Sequence, residues 1–549
     1  MELELRNRDF AFLSKNGSFF ILSLKRYSRF FGLFFPYNKR YIKIFDHLKN
    51  LNIVEKPEKI ILDGSDTLKI FYKDNYEIYK LFKFGLLYET KKISKIQIFF
   101  DIKDIYDTEE WGRIYNYQIT SNMANIEFKK NDLFVRVYLT GFSSIFENKD
   151  KWVEIYYDFD EKRNSPPFKR YLYCPFTIKG KKLIISLIRN PKIKDYYKKE
   201  SKNLIEERIK SFIHDWISVG YPWYYQEWSR DVLISLKGLY YILGKSFVKE
   251  KLIEYSKYIL PNGKMKNLIF DGLNGNSDSF GLYAKRIFDF EYIFSKEEFL
   301  KLVNIVEDNL PKFTETHYDP KTKLFVSFPN ESWMDTLNRK YPIELQFLVM
   351  NIYENLYRIK RDERYRDLYL DLKDNVEKRY LKDNSLVDTF EEYRIRPNVF
   401  LCYYIKKDVL SKEKWEKIFD YSLNHLWLEW GGLSSLSKLD YEFIEENNGD
   451  ANFIDSKKSM HRGDSWIYLN HIAAICMNDL NSEKYKYYIN KILNSSIEYL
   501  KDIGTLPELS SAKNRDISGA ISQLWSLSTF VELLKNLKIS WNKIEEYLK

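Results

Sequence analysis

The chain changes its hydrophobic period near residue 195, and few folds accommodate such a change. Before that point apolar residues alternate with polar ones. DLFVRVYLTG (132–141), KWVEIYYDFD (151–160), KLIISLIRNP (182–191) and IYKLFKFGLLYE (78–89) are runs rich in β-branched and aromatic residues, separated by polar turns such as KKND and ENKDK. Alternation puts every second side chain on one face of a strand, so many short strands at this spacing predict an antiparallel β-sandwich. After about residue 198 the period becomes helical. In KNLIEERIKSFIHDWI (202–217), Ile205, Ile209, Phe212, Ile213 and Trp216 form one stripe. In ELQFLVMNIYENLYRI (344–359) the stripe is Leu345, Leu348, Val349, Ile352 and Leu356, and the pattern returns in YYINKILNSSIEYL (487–500) and GAISQLWSLSTFVELL (519–534). Helix, long loop, helix is the rhythm, without a strict repeat. The expectation is a β-sandwich domain over 1–195 and a large all-α domain over 196–549, with the boundary somewhere in 190–205.

A chain of 549 residues, 44% of them hydrophobic, is long enough for two cores. Its net charge of +10 comes from 88 basic and 78 acidic residues interleaved along the whole length. A nucleic-acid binder concentrates its cations in a patch or tail, so no nucleic-acid partner is expected. Cys174, Cys402 and Cys476 lie far apart in apolar contexts and read as buried thiols of a reducing compartment. MELELRNRDF has acids where a signal peptide needs a basic start, and no run approaches about 18 apolar residues. A cytoplasmic location without membrane contact is expected; oligomeric state is not legible.

Chemistry concentrates in the loops between helices. YPWYYQEWSRD (221–231), ESWMD (331–335), RIRPN (394–398), HRGDSW (461–466) and LPELSS (506–511) each set aromatic, charged or amide residues together. Sugars are bound by such pairings, because aromatic faces cover ring C–H patches while charged and amide groups take the hydroxyls. Each element also has a plainer reading. Trp223 and Trp228 are equally core aromatics at the start of a helix near Asp231, and Arg230 and Asp231 a helix-terminal ion pair. Arg396 has Glu391 and Glu392 within reach, Glu508 suits a helix N-terminus, and His461 suits a structural role. Spacing alone does not choose among 78 acids. No GxSxG, HExxH, Walker A or dinucleotide fingerprint competes, and the six scattered histidines argue against a metal site, so no cofactor is expected. Carboxylate chemistry in an aromatic pocket remains, as in glycoside hydrolases.

In order and spacing these stretches resemble the glucosidase domain of glycogen debranching enzymes (amylo-α-1,6-glucosidases), itself similar to glucoamylase. GYPW…WSRDVLISLKGL resembles the family's W-G-R-D stretch with its following helix, ESWMDT its T-W-M-D motif, and YPIELQ the helix start after it. RIRPN resembles R-P-N, HRGDSW resembles H-x-G-x-x-W, and LPELSS…AISQLWS resembles the L-P-E-L…Q-A-W-S ending. FDIKDIYDTEEWGR (100–113) is more loosely similar to a segment of archaeal and bacterial members. The resemblance implies an (α/α)6 barrel after the sandwich, with Asp335 as general acid and Glu508 as general base of an inverting, exo-acting α-1,6-glucosidase. Trp333 and Met334 would desolvate Asp335, while Glu508 would stay ionised and solvated by its water. Arg230 and Asp231 would hold glucose hydroxyls, with Trp228 and Trp333 as platforms. Glu344, Arg396, Asn398 and His461 would complete the pocket, with Trp223 and Trp466 as further substrate-binding residues. WSRD in place of W-G-R-D, Arg462-Gly463 after the histidine, and Tyr283 in NGNSDSFGLYAKRI (274–287) depart from the family and bear on linkage preference. The rivals are an α-1,4-glucosidase or trehalase on the same barrel, and a non-catalytic glucan-binding protein.

Overall fold

The computed structural model describes all residues except 1, 6–8, 15, 16, 25, 163, 192–202, 271–274, 447–458 and 549. The domain boundary placed between 195 and 196 therefore lies outside the described residues.

The first part is antiparallel. Its strands are β1 (Glu2–Glu4), β2 (Asp9–Leu13), β3 (Phe19–Ser23), β4 (Gly32–Tyr37), β5 (Arg40–Asn50), β6 (Lys59–Asp63), β7 (Thr67–Phe71) and β8 (Tyr76–Phe82). They continue with β9 (Gly85–Asp104), β10 (Ile114–Ile119), β11 (Met123–Lys130), β12 (Leu133–Thr140), β13 (Ser144–Glu147), β14 (Trp152–Tyr156), β15 (Lys169–Tyr173) and β16 (Phe176–Ser186). One hydrogen-bonded path runs β1-β6-β7-β8-β9-β16-β12-β11-β10 among the described residues. The long strand β9 serves both layers: its first residues pair with β8 and its last with β5, so one strand passes from layer to layer. Burial alternates along β12 as its sequence predicts. IYKLFKFGLLYE is the β8–β9 hairpin rather than one strand. KWVEIYYDFD is strand only to Tyr156, after which helix α1 (Asp158–Lys162) begins, with Asp158 and Asp160 in its first turn.

The second part begins with α2 (Leu204–Lys210), far shorter than the stripe over 202–217 predicts. Beyond Lys210 the side chains bond to the sandwich and to the loop ahead of the next helix instead of continuing the helix. His214 Nε2 is 2.7 Å from the Tyr41 hydroxyl, and Trp216 donates its indole N–H to the Tyr225 carbonyl at 2.9 Å. The remaining helices are α3 (Ser229–Tyr255), α4 (Ser277–Asp289), α5 (Lys296–His317), α6 (Ile343–Lys360), α7 (Glu363–Tyr380) and α8 (Asn398–Ile405). They are followed by α9 (Lys412–Leu426), α10 (Ile467–Asn481), α11 (Lys486–Ile503), α12 (Leu524–Asn536) and α13 (Trp541–Leu548). Helix α3 breaks at Gly244, whose φ of 84° and ψ of 178° suit only glycine, and residues 245–255 return as a separate helix.

Among the described residues this makes six helical hairpins. The first half of α3, then α4, α6, α8, α10 and α12 contact one another in sequence, and α12 closes back on α3. These six are buried nearly all round in their first turns, whereas α5, α7, α9 and α11 bury a single stripe, as befits an inner and an outer ring. The architecture is the expected β-sandwich followed by an (α/α)6 barrel. No helix among the described residues is long and apolar enough to cross a membrane.

Candidate active site

Every inner helix points its N-terminus to the same end of the barrel, so each site residue enters from a first turn or the loop before it. Arg230 and Asp231 open α3, Asp278 opens α4, Glu344 opens α6 and Asn398 opens α8. Trp466 precedes α10 and Gln523 precedes α12. Converging helix N-termini carry partial positive charge, which favours carboxylates in those turns.

The stretch GYPWYYQEWSRD divides its labour. Tyr221 and Tyr225 pack against the sandwich: the Phe19 ring lies 4.6 Å from Tyr221 and stacks on Tyr225 at 5.3 Å. Glu227 is buried and accepts from the Ile217 N–H and the Tyr255 hydroxyl, both at 2.8 Å. Trp223 has φ 95° and its ring lies 6.5 Å from Phe159 of α1, so it faces the sandwich side. Trp228 is partly exposed at the start of α3, its buried indole N–H without a hydrogen-bond partner. Arg230 does not pair with Asp231. It forms a two-point bridge to Asp278, Nε to Oδ2 at 2.8 Å and Nη2 to Oδ1 at 3.1 Å. Burial penalises the Arg230 cation, but Asp278 outweighs that cost and, with Asp335 and Asp231 adding, holds its pKa above the ordinary value. Asp231 accepts from the Gln523 side chain at 3.1 Å. Burial, reinforced by the charge of Glu508, pushes its pKa up to about 7 against Arg230. Two consecutive residues thus feel the two predicted catalytic carboxylates, Arg230 that of Asp335 and Asp231 that of Glu508.

Those two carboxylates have the reverse of the expected surroundings. Trp333 and Met334 turn inward: the Trp333 indole donates to Asn398 Oδ1 at 2.9 Å, and Met334 sulfur accepts from Asn398 Nδ2 at 3.5 Å. Asp335 faces outward, its side chain 51% exposed, so its sequence neighbours do not desolvate it. Glu508 is 3% exposed. Its Oε2 accepts from the Ala520 N–H at 2.9 Å, and its backbone bonds both Ala520 and Ile467. A backbone amide, not bulk water, holds it. Gly519 makes this possible, since a Cβ there would lie 2.7 Å from Glu508 Oε2.

Around them stands a buried scaffold. His461 Nε2 lies 3.6 Å from Asp335 Oδ1. Its ring stacks on Trp466 at 5.0 Å and meets the edge of Trp333 at 5.4 Å. Burial lowers the His461 pKa against the pull of Asp335, leaving a neutral imidazole. Arg396 donates to the His461 carbonyl and, at 2.9 Å, to that of Ser435. Its nearest acid is Asp388 at 3.3 Å, not Glu391 or Glu392. Burial lowers the Arg396 pKa to about 10. Arg339 bridges Glu344 and Asp388, the latter at 2.7 Å, and Asn398 donates to the same Asp388 oxygen at 2.7 Å. Burial raises the Glu344 pKa despite Arg339. Glu331 anchors the 331–335 loop through Lys264 at 2.6 Å and His317 at 3.0 Å.

Asp278, Arg339, Asp388, Gln523 and Gly519 are not among the site residues expected from the sequence. Two of them leave a signal: Gln523 lies in the AISQLWS motif, and Asp278 in NGNSDSFG, where an Asn immediately precedes a helix. Several buried polar atoms at this end have no hydrogen-bond partner: Trp228 Nε1, Asn276 Nδ2, His461 Nδ1, Tyr468 Oη and Trp525 Nε1. Buried polar groups are nearly always satisfied, so a cluster of open ones fits a site that receives a ligand rich in hydroxyls.

A barrel of six helical hairpins with acids at the N-terminal mouth is the architecture of the glucoamylase-like glycosidases, and the protein is a glycoside hydrolase of that fold. The family model of the amylo-alpha-1,6-glucosidase domain matches residues 200–532, and the chain belongs to that family. No curated protein sequence matches the chain. Among solved structures it is similar to a bacterial glucoamylase complexed with acarbose (TM-score 0.64, 10% identity, 100% of this chain and 97% of that one). It is also similar to a GH63 mannosylglycerate hydrolase from Thermus thermophilus (TM-score 0.45, 10% identity, 60% and 98%).

Proposed function

We propose that the protein is an inverting, exo-acting α-glucosidase that removes single glucose residues from α-1,6 branch stubs of glycogen-like glucans. The observation that carries this reading is the convergence of Arg230, Asp231, Asp335 and Glu508 at one mouth, where His461 lies 3.6 Å from Asp335, Gln523 holds Asp231 at 3.1 Å and the Ala520 amide holds Glu508 at 2.9 Å, beside open hydrogen-bonding groups. The family membership favours the α-1,6 linkage.

In this reading Asp335 gives its proton to the glycosidic oxygen as the bond from C1 to that oxygen breaks. Glu508 takes a proton from a water whose oxygen bonds C1 from the opposite face, giving β-glucose and a free hydroxyl on the stub. Solvent then returns the proton from Glu508 to Asp335. An inverting pair needs its carboxyls about 6.5–9.5 Å apart to admit that water. The outward Asp335 becomes desolvated when sugar covers it, and neutral His461 adds no competing positive charge. Glu508 is oriented before substrate arrives by the Ala520 amide. Asp231 and Arg230 face the sugar hydroxyls.

An NMR time course on panose tests the reading. The expected first product is β-glucose from the α-1,6 end. Initial release of the α anomer overturns inversion, and faster turnover of maltose or trehalose moves the assignment to those linkages.

A further inference from the structure

The sandwich carries a second feature of carbohydrate-binding chemistry, away from the barrel mouth. An open cleft of about 670 Å³ lies beside β14, lined by Arg113, Tyr115, Lys149, Asp150, Trp152 and Tyr173 among others. Trp152 is 42% exposed, yet its ring is fixed. The Arg113 guanidinium carbon lies 4.9 Å from its centroid. Tyr115 meets it at 5.6 Å and 83°, and Tyr173 at 5.1 Å. Arg113 is locked in turn, donating to the Glu110 carbonyl at 2.7 Å, to Glu110 Oε1 at 3.1 Å and to the Tyr171 carbonyl at 2.8 Å. Two residues before it, Trp111 is 74% exposed. On the β14–β15 ladder, Trp152, Glu154 and Tyr156 point outward on one face, and the cross-strand partner of Glu154 is the 47% exposed Tyr171.

Exposed rings held by buried supports are costly unless something covers them. We propose that this cleft, with Trp152 as its platform and the exposed Trp111 two residues along the chain from Arg113 of its wall, binds an α-glucan chain at a site separate from the catalytic pocket, a proposal that rests on the α-glucosidase reading above. The occupant follows from the chemistry. Flat rings alternate here with charges of both signs, Lys149 and Asp150 on the rim and Glu154 paired to Lys169 at 3.3 Å. A protein-docking face would be a continuous apolar patch, whereas a sugar chain offers C–H faces to rings and hydroxyls to charges. The place fits as well. The segment that carries Trp111 also carries Tyr106, whose hydroxyl donates to the Trp223 carbonyl at 2.9 Å and to Gln226 at 3.0 Å. A chain held on the sandwich is thereby tethered beside the stretch that leads into Arg230 and Asp231, which raises the local concentration of its ends.

Native gels cast with glycogen, compared with gels without it, read the binding. The wild-type protein is expected to be retarded, and Trp111→Ala, which removes a side chain without a packing role, to lose at least half of the retardation. Trp152→Ala is expected to lose more, and KM for glycogen to rise about fivefold in either variant while kcat and KM for panose stay at wild-type values. Absence of retardation in the wild type, or retardation and glycogen KM unchanged in Trp111→Ala, overturns the proposal. So does an equal rise in KM for panose, which moves the effect into the pocket. A wild-type protein that hydrolyses no glucoside but shows Trp111-dependent retardation overturns the activity and leaves the cleft standing.

Discussion

Helix α4 carries an aspartate near each end, about 16 Å apart along its axis, and the barrel treats them in opposite ways. Asp278, at the mouth, is bridged by the single guanidinium of Arg230, and burial raises its pKa in spite of Arg230 and the more distant pull of Arg339. Asp289, at the far end, takes Lys285 at 2.7 Å and Arg286 at 2.8 Å, with Lys237 at 3.7 Å. There burial is outweighed by three cations, and the carboxyl is held well below the usual carboxylate range. Arg286 goes on to bond the Leu233 and Ile234 carbonyls of α3 and the Tyr404 hydroxyl, which donates to Glu532. The far end is a closed network in which cations outnumber their acids locally. At the mouth burial outweighs the counter-charges facing Asp231, Asp278 and Glu344, and polar atoms stand open. Identical residue types thus sit in opposite electrostatic settings at the two ends, and the difference lies in how closely counter-charges reach each carboxyl.

Substitution at the two ends should therefore separate activity from stability. Asp335→Asn and Glu508→Gln are expected to lower kcat on panose by about 10²–10⁴-fold, with melting temperatures within a few degrees of wild type. Wild-type rates in either variant would end its assignment. At the closed end, Asp289→Ala leaves buried cations uncompensated and is expected to cost about 3–5 kcal/mol in urea denaturation, with kcat of the folded enzyme preserved. Gly519→Ala sharpens the contrast, because the new Cβ displaces the Glu508 carboxylate: kcat is expected to fall about 10- to 100-fold with little loss of stability. The smallest effect is in pH. Asp231 has a folded pKa of about 7 against 3.8 ordinarily, so its protonated form is favoured by folding. Its contribution is complete below about pH 4 and is lost as pH rises through 7. Melting curves of Asp231→Asn should lack that part of the decline between about pH 4 and 7. Asp289 has the opposite sign: its stabilisation is present above the ordinary carboxylate pKa and fades in acid. A parallel pH response in the two variants would remove the comparison.

Much of this is legible in the sequence. The period change marks both layers, and α6 and α11 lie where their stripes place them. The family motifs bring the right loops to one mouth. The stretch 202–217 departs from its stripe because His214 and Trp216 answer to Tyr41 and Tyr225, which a local period cannot register. Adjacency in sequence pairs Arg230 with Asp231, but its partner Asp278 lies 48 positions away. The surroundings of Asp335 escape a sequence reading for the same reason. In a tight loop, adjacent side chains point in different directions, and Trp333 and Met334 serve Asn398 instead. Pairings of this kind, Arg339 with Asp388 included, exist only once the ring has closed.

The aromatic seam around Tyr41 and Phe19 bears on how such a chain can be cut or recombined. Tyr41 bonds His214 and Tyr221, and Phe19 stacks on Tyr225, a few residues before α3 starts. A barrel expressed without its sandwich would present Tyr221, Tyr225 and Trp216 to water and lose the wall behind its first inner helix. Exchanging sandwiches between relatives would accordingly require the seam to travel with them.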